Sequence, residues 1–360
     1  MSGSLRYCAT LFRILHLHYM NRFLLVALFF LPCIIKAQSN SPVIVDSVKS
    51  YLDKSLLIIE ANALNSRNVN WKELRASVYN KAQGAKRYED ILPIYPYIFE
   101  QIDDHHGSLK YKDKTYSWNK NDGIKVNSAI KAATEKYSSV RSEKIGREIG
   151  YILIPGNNDF RGQQMDSISR DIKNAIAKIN DKHIKGWIID LRVNTGGNMY
   201  PMIAGLTEFI GEGRVGGFIT PAQQPDGDWI IKDGMFYVDS VKVSPVRYKG
   251  YPIKNDVPIA ILIGVNTASS GEMTAITTIG RNKSILIGEP SRGYTTTNLG
   301  FKLNEYSGLN LAVDYASDRN GKVYPKNISP GILVSDGDNF DDLKKDQKVK
   351  AAISWLRKNR

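Results

Sequence analysis

The sequence contains few thiols and few imidazoles for its length. Only two cysteines and five histidines occur among 360 residues. Both cysteines, Cys8 and Cys33, lie within the first 37 residues. If that segment is removed, no thiol remains, which excludes disulfides, a cysteine nucleophile and thiolate metal sites from the mature chain. Imidazole chemistry then depends on His105, His106 and His183.

Long hydrophobic runs are also scarce, and the one marked run is short. It covers about a dozen residues after Arg22, fewer than the roughly 20 that span a bilayer. A basic residue before the run and Ala37 after it are typical of a secretory signal peptide. We therefore expect residues 1–37 to be a signal peptide cleaved after Ala37, with Met20 as an alternative start. An uncleaved anchor and a lipid anchor at Cys33 are the alternatives.

The composition is otherwise that of a globular protein, with 42% hydrophobic and 24% charged residues. Loss of four leader cations would lower the formal charge from +13 to +9; they are Arg6, Arg13, Arg22 and Lys36. The lysines are scattered and no nucleic-acid-binding motif occurs, so we expect no nucleic-acid partner. Membrane contact is expected only through an uncleaved leader. An exported chain without disulfides fits a bacterial periplasm or exterior, and the oligomeric state is left open.

Hydrophobic periodicity divides the chain into four regions after the leader. Residues 38–110 have helical spacing and predict a small helical N-terminal domain. Residues 111–148 are polar and predict a connecting segment, mostly loop. Residues 149–339 alternate apolar strands and amphipathic helices, which indicates an α/β core whose sheet is covered on both faces. Within it, residues 212–256 form an insertion rich in Gly, Pro and aromatics. Residues 340–360 predict a C-terminal helix.

Two adjacent serines follow a buried apolar strand and precede a helical pattern. Ser269 and Ser270 thus lie where the first helix amides lack intrahelical acceptors and carry partial positive charge. Such amides would stabilise the oxyanion formed when a serine attacks a carbonyl. The alternative is a polar helix cap without a chemical role.

A glycine pair, Gly196 and Gly197, follows another buried strand, at 186–192. Glycine tolerates positive φ and close backbone approach, so these amides could supply a second oxyanion donor. A simple tight turn between strand and helix is the alternative. Asp190 and Arg192, at the strand end, are expected to form a local ion pair or to order the loop.

A serine nucleophile needs a base within hydrogen-bond reach. His105 and His106 follow Asp103 and Asp104 at the end of a helical region, and either could be this base. Surface histidines and a metal site are the alternatives. The H-E-x-x-H spacing of zinc enzymes is absent, so neither a metal nor a cofactor is expected. His183 lies in a charged turn and is expected at the surface.

Together these segments resemble the tail-specific, or carboxy-terminal processing, serine peptidases, particularly the branch that includes the tricorn core and the interphotoreceptor retinoid-binding proteins. The matching segments are 103–109, 188–198, 259–272 and 287–298. The resemblance implies an α/β ClpP/crotonase-like core behind a small helical N-terminal domain. It also implies an exported serine peptidase that hydrolyses peptides or proteins.

The resemblance also assigns roles to residues. Ser269 matches the nucleophile, and the amides of Ser270 and a glycine of the Gly196–Gly197 pair match the oxyanion hole. One branch of the family uses a lysine base, but Tyr294 occupies that position here. The histidine branch uses an upstream histidine, and His106 matches it. Further supporting candidates are His105, Asp104, Glu272 and Tyr294.

Three positions depart from the histidine branch. Gly107 stands where a serine is usual, Tyr324 lies near the place of a late acidic residue, and Gly331 replaces an aspartate. Asp103, Asp104 and Glu305 are alternative acids for orienting the base. These departures leave open a weakly active or inactive protein that binds peptides or apolar ligands. A crotonase-type acyl-thioester enzyme is a third alternative, which an exported location disfavours.

Overall fold

A computed structural model describes residues 43–119 and 123–360. The predicted signal peptide lies outside these residues, together with both cysteines, and stays a prediction. Among the helices of the described part, none combines the length and apolarity needed to cross a bilayer.

The described helices are concentrated near the N-terminus and on the two faces of one sheet. They are α1 (Asp46–Asn62), α2 (Trp71–Lys81), α3 (Tyr88–Ile91), α4 (Tyr95–Gln101), α5 (Ser128–Lys136), α6 (Met165–Ile179), α7 (Met199–Gly205), α8 (Thr207–Ile210), α9 (Ser270–Ile276) and α10 (Gln347–Lys358), with 3₁₀ turns at Ser66–Asn68 and Leu92–Ile94.

The described strands form two sheets. They are β1 (Ser108–Tyr111), β2 (Lys114–Tyr116), β3 (Arg141–Ile145), β4 (Ile149–Leu153), β5 (Gly186–Asp190), β6 (Gly213–Ile219), β7 (Pro225–Lys232), β8 (Met235–Val238), β9 (Val241–Lys242), β10 (Ile259–Ile263), β11 (Ser284–Gly288), β12 (Thr296–Lys302), β13 (Ser307–Asp318), β14 (Val323–Tyr324) and β15 (Ile332–Leu333).

The first sheet is largely parallel and carries the core. In the described residues its order is β15-β11-β10-β5-β4-β3, and only β3 runs antiparallel, at one edge. Every residue of β4, β5 and β10 is buried, as continuous apolar strands predict. Helices α6, α7 and α9 share a hydrophobic cluster with one face, and α5 and α10 share one with the other. The predicted α/β fold class is confirmed.

The second sheet is antiparallel and links the N-terminal helices to the core. Its order is β2-β1-β13-β6-β7-β8-β9, with β12 and β14 also paired to β13. The long strand β13 contacts β1 at its start and β6 at its end. Side chains of α1, α2 and α4 pack against β1 and β13 in a separate cluster. The sheet therefore joins residues about 200 positions apart in the chain.

Three regions differ from what the sequence pattern indicated. Two of them contain additional strands or helices, and in the third the helix begins at a different residue. The polar segment 111–148 contributes β2, α5 and β3. The insertion 212–256 forms β6 to β9, a series of antiparallel hairpins. The C-terminal helix begins at Gln347, because Asp346 caps it by accepting a hydrogen bond from the Val349 amide at 2.9 Å.

Candidate active site

Two loops meet at the carboxyl ends of β5 and β10. The strands are parallel neighbours with Leu262 opposite Asp190, so the segments that follow them start at the same edge. The Ala268 amide donates to the Asn194 carbonyl at 2.9 Å, and the Thr267 hydroxyl donates to the Leu191 carbonyl at 2.9 Å. These bonds fix the serine loop to the glycine loop.

Ser269 adopts a rare backbone conformation at the start of α9. Its φ is +51° and its ψ is −118°, a strained combination for a residue with a side chain. The amide of Ser269 donates to Glu272 Oε2 at 2.8 Å, which holds the strained residue at the helix start. The Ser269 hydroxyl contacts His106 Nε2 at 3.1 Å. Ser269 therefore occupies the N-cap of α9 and also contacts an imidazole.

The glycine pair lies directly beside Ser269. A Cβ on Gly196 would come within 2.9 Å of the Ser269 Cβ, and its φ is +111°. The Gly196 amide donates to Asn194 Oδ1 at 3.0 Å, whereas the Gly197 amide has no acceptor among the described residues. The Ser270 hydroxyl donates to the Gly197 carbonyl at 2.6 Å, and the Ser270 amide likewise has no described acceptor. Gly197 and Ser270, rather than Gly196, thus present free amides here.

His106 reaches the serine from the turn between α4 and β1. Its Nε2 faces Ser269 Oγ, and its Nδ1 contacts the Thr296 hydroxyl at 2.8 Å. Burial, together with the neighbouring His105, lowers the pKa of His106 to about 3, against the opposing effect of a hydrogen bond with the Thr296 backbone. The imidazole is therefore neutral across physiological pH and can accept a proton from Ser269.

His105 is turned away from the serine. Its Nε2 contacts the Gly293 carbonyl at 2.9 Å, so the adjacent histidines have different partners. Tyr294, in the position of the lysine of the other branch, contacts both imidazoles with ring centroids 5.2 and 5.0 Å away. Its backbone amide, like that of Gly293, donates to Glu272 at 2.8 Å. Tyr294 thus lines the site beside the base.

Asp104 fixes the histidine turn rather than the imidazole ring. Its Oδ1 accepts from the amides of His106 at 3.1 Å and Gly107 at 2.6 Å, and its Oδ2 accepts from Ala312 on β13 at 3.0 Å. A Cβ at position 107 would lie 2.3 Å from Asp104 Oδ2. A side chain at position 107 would therefore require Asp104 to move.

No carboxylate is among the partners of the His106 ring in the described part of the chain. Glu305 is exposed in the turn between β12 and β13, and the Tyr324 hydroxyl donates to Asp318 at 2.8 Å. The ring instead contacts Thr296, which the sequence did not single out. Thr296 is 190 positions from His106 in the chain, and no local sequence motif indicates that its hydroxyl contacts the ring. His183 lies in a turn next to Arg147, away from these groups.

The core of the chain matches a known protein family. Residues 148–334 match the family model described as Peptidase family S41. The nisin-resistance protein of Lactococcus lactis subsp. lactis is 25% identical over 320 residues, covering 86% of this chain and 87% of that protein. Carboxy-terminal processing protease CtpA of Bacillus subtilis is 26% identical over 208 residues, 58% of this chain and 39% of CtpA.

A solved structure shares the fold. A lipoprotein from Streptococcus agalactiae superposes with a TM-score of 0.66 and 23% identity, covering 89% of this chain and all of the other. The similarity therefore includes the N-terminal helices as well as the core matched by the family model.

Proposed function

Because the chain belongs to peptidase family S41, we propose that it is a serine peptidase in which Ser269 is the nucleophile and His106 the general base. The observation that carries this proposal is the 3.1 Å contact between Ser269 Oγ and His106 Nε2. It joins residues 163 positions apart, at a strained serine and a neutral imidazole. A nucleophile, a base and their contact are what acyl transfer requires.

The proposed reaction proceeds through an acyl-enzyme. Ser269 Oγ bonds to the peptide carbonyl carbon while its proton moves to His106 Nε2. The free amides of Gly197 and Ser270 donate to the oxyanion, since neither has another acceptor in the described chain. The C–N bond then breaks as the proton passes to the leaving amine. Water attacks the acyl group in the same way and releases Ser269.

Support for peptide substrates comes from the relatives, one of which is named a carboxy-terminal processing protease. The leader-like sequence supports action outside the cytoplasm of a bacterium. A second function, ligand binding without hydrolysis, is favoured by one observation: the His106 ring contacts a hydroxyl and no described carboxylate. Without a negative partner, the imidazolium that forms during catalysis is less stabilised.

Labelling by a fluorophosphonate, followed by mass spectrometry, tests the proposal. The adduct should be on Ser269, Ser269→Ala should abolish it, and His106→Gln should slow it by about 10²-fold or more, because the base is lost. The intact mass of secreted protein would also show whether the chain begins at Gln38.

Ser270→Ala is the matched control. It removes a neighbouring hydroxyl but keeps the proposed amide donor, so labelling should persist. An adduct on Ser270, or full peptide hydrolysis by Ser269→Ala, would refute the assignment. Tight peptide binding by a protein that never forms an adduct would favour the binding function.

A further inference from the structure

The outer nitrogen of the candidate base has a specific and buried partner. His106 Nδ1 lies 2.8 Å from Thr296 Oγ1 on β12, and Thr296 is only 8% exposed. Asn298, two residues further along β12, also contacts His106, since its Nδ2 donates to the His106 carbonyl at 2.8 Å. Strand β12 therefore holds both the ring and the backbone of His106.

The direction of the Nδ1 contact follows from the chemistry of the ring. Neutral imidazole has one N–H, and Nε2 must be free of hydrogen to accept from Ser269. The hydrogen then resides on Nδ1 and needs an acceptor. The Thr296 hydroxyl oxygen, 2.8 Å from Nδ1, is placed to accept it.

We propose that Thr296 is the positioning residue of this site, its hydroxyl accepting from Nδ1–H in the place where related mechanisms use a carboxylate. The inference rests on the proposed roles of Ser269 and His106. Thr296 selects the tautomer in which Nε2 faces the nucleophile and keeps the ring plane aligned with it. Its hydroxyl contacts the ring nitrogen opposite the one that faces Ser269, so it acts through His106.

A hydroxyl differs from a carboxylate in a measurable way. It accepts from Nδ1–H and orients the ring, as the third member of a serine triad does, but it adds no negative charge beside the imidazolium. The imidazolium formed during attack therefore gains no charge stabilisation from Thr296, and burial and His105 keep the ring neutral to unusually low pH. This arrangement predicts a slow catalyst without an acidic limb from His106 between pH 5 and 7.

Thr296→Val tests the role of the hydroxyl and keeps the branched shape of the side chain. We expect kcat/KM, or the rate of fluorophosphonate labelling, to fall about tenfold to hundredfold, since orientation is lost while the base remains. Thr296→Ser should restore most of the rate. Thr297→Val is the matched control, because Thr297 Oγ1 is buried on the same strand without a hydrogen-bond partner among the described atoms; it should leave the rate unchanged.

Nitrogen NMR of the His106 ring gives a readout independent of activity. In the unchanged protein the proton should reside on Nδ1, and in Thr296→Val a fraction should move to Nε2, whereas Thr297→Val should keep it on Nδ1. A proton on Nε2 in the unchanged protein would overturn the inference, as would an unaltered tautomer and rate in Thr296→Val. If no variant hydrolyses peptides but the tautomer shifts as described, the proposed function fails and the positioning role stands.

Discussion

At the scale of single residues, Glu272 connects Ser269 to the loop that follows β11. It is fully buried and accepts from the Ser269, Gly293 and Tyr294 amides at 2.8 Å and from the Ser291 hydroxyl at 2.5 Å. Burial raises the pKa of Glu272 to about 7, although these four donors act in the opposite direction. The carboxyl therefore titrates near neutrality while holding the strained serine.

The raised pKa of Glu272 predicts a pH dependence of stability. The folded carboxyl binds its proton more tightly than the unfolded one, so its contribution is fully present below about pH 4.5 and lost as pH rises to about 7. The loss is on the order of 3 kcal/mol. Urea unfolding should give a lower free energy of unfolding at pH 8 than at pH 5 in the unchanged protein. The Glu272→Gln variant should not show this decline. An equal pH dependence in both proteins would contradict the prediction.

The sequence could predict both residues of the Ser269–His106 contact, but not Thr296, which contacts the other nitrogen of the imidazole. Ser269 follows a strand and precedes a helix, a placement visible in apolar periodicity, and His106 matches a family segment. Thr296 is one of three consecutive threonines, and only strand pairing brings it to the imidazole. The sequence also could not predict which acid would orient His106. Asp104 is only two residues before His106, yet its carboxylate accepts hydrogen bonds from three backbone amides.

At the scale of elements, the turn after β5 depends on glycine for its shape. Gly197 has a φ of +120°, and a Cβ there would lie 1.9 Å from the Asn157 carbonyl oxygen. The backbone amide of Asn157 donates to the Gly196 carbonyl at 3.0 Å. This bond holds the loop that contains Asn157 against the glycine turn. Any side chain at position 197 must displace the amide proposed to bind the oxyanion.

Gly197→Ala should therefore reduce kcat much more than it changes KM. Loss of one oxyanion donor costs about 10²- to 10³-fold in kcat. Gly213→Ala measures the effect of backbone strain alone, because Gly213 has a φ of +93° but a Cβ there would meet no atom within 4 Å. Steady-state kinetics and thermal unfolding of both variants provide the comparison. Equal kcat values in the two variants would argue against the proposed role of the turn.

The parallel core could be predicted at this scale, whereas much of the antiparallel sheet could not. Strands β4, β5 and β10 are continuous apolar runs, and the confirmed family resemblance covers them. Strand β3, R-S-E-K-I, is an edge strand with mostly polar residues, so its sequence pattern is that of a loop. The pairing of β13 with β1 joins distant parts of the chain, and no local pattern indicates such contacts.

At the scale of the whole molecule, a buried charge network connects the C-terminal helix to the sheet edge that carries the candidate site. Arg192, after β5, contacts Asp190 at 2.6 Å, Asp338 at 2.5 Å and Asp346 at 2.7 Å, and all four side chains are fully buried. Lys348 on α10 adds a 2.9 Å contact to Asp338. The predicted Asp190–Arg192 pair is thus one part of a wider network.

Arg192→Met should destabilise the whole molecule, because the methionine leaves three buried carboxylates without their main cation. Removing one partner of a buried ion pair costs about 3–5 kcal/mol, whereas an exposed pair contributes about 0–1 kcal/mol. Arg360→Met is the matched control, since Arg360 pairs with Glu148 at the surface. Urea unfolding should give a large loss for the first variant and almost none for the second. Similar losses would mean that the network is replaceable, and that packing of α10 on β5 and β10 alone holds the C-terminus to this edge of the sheet.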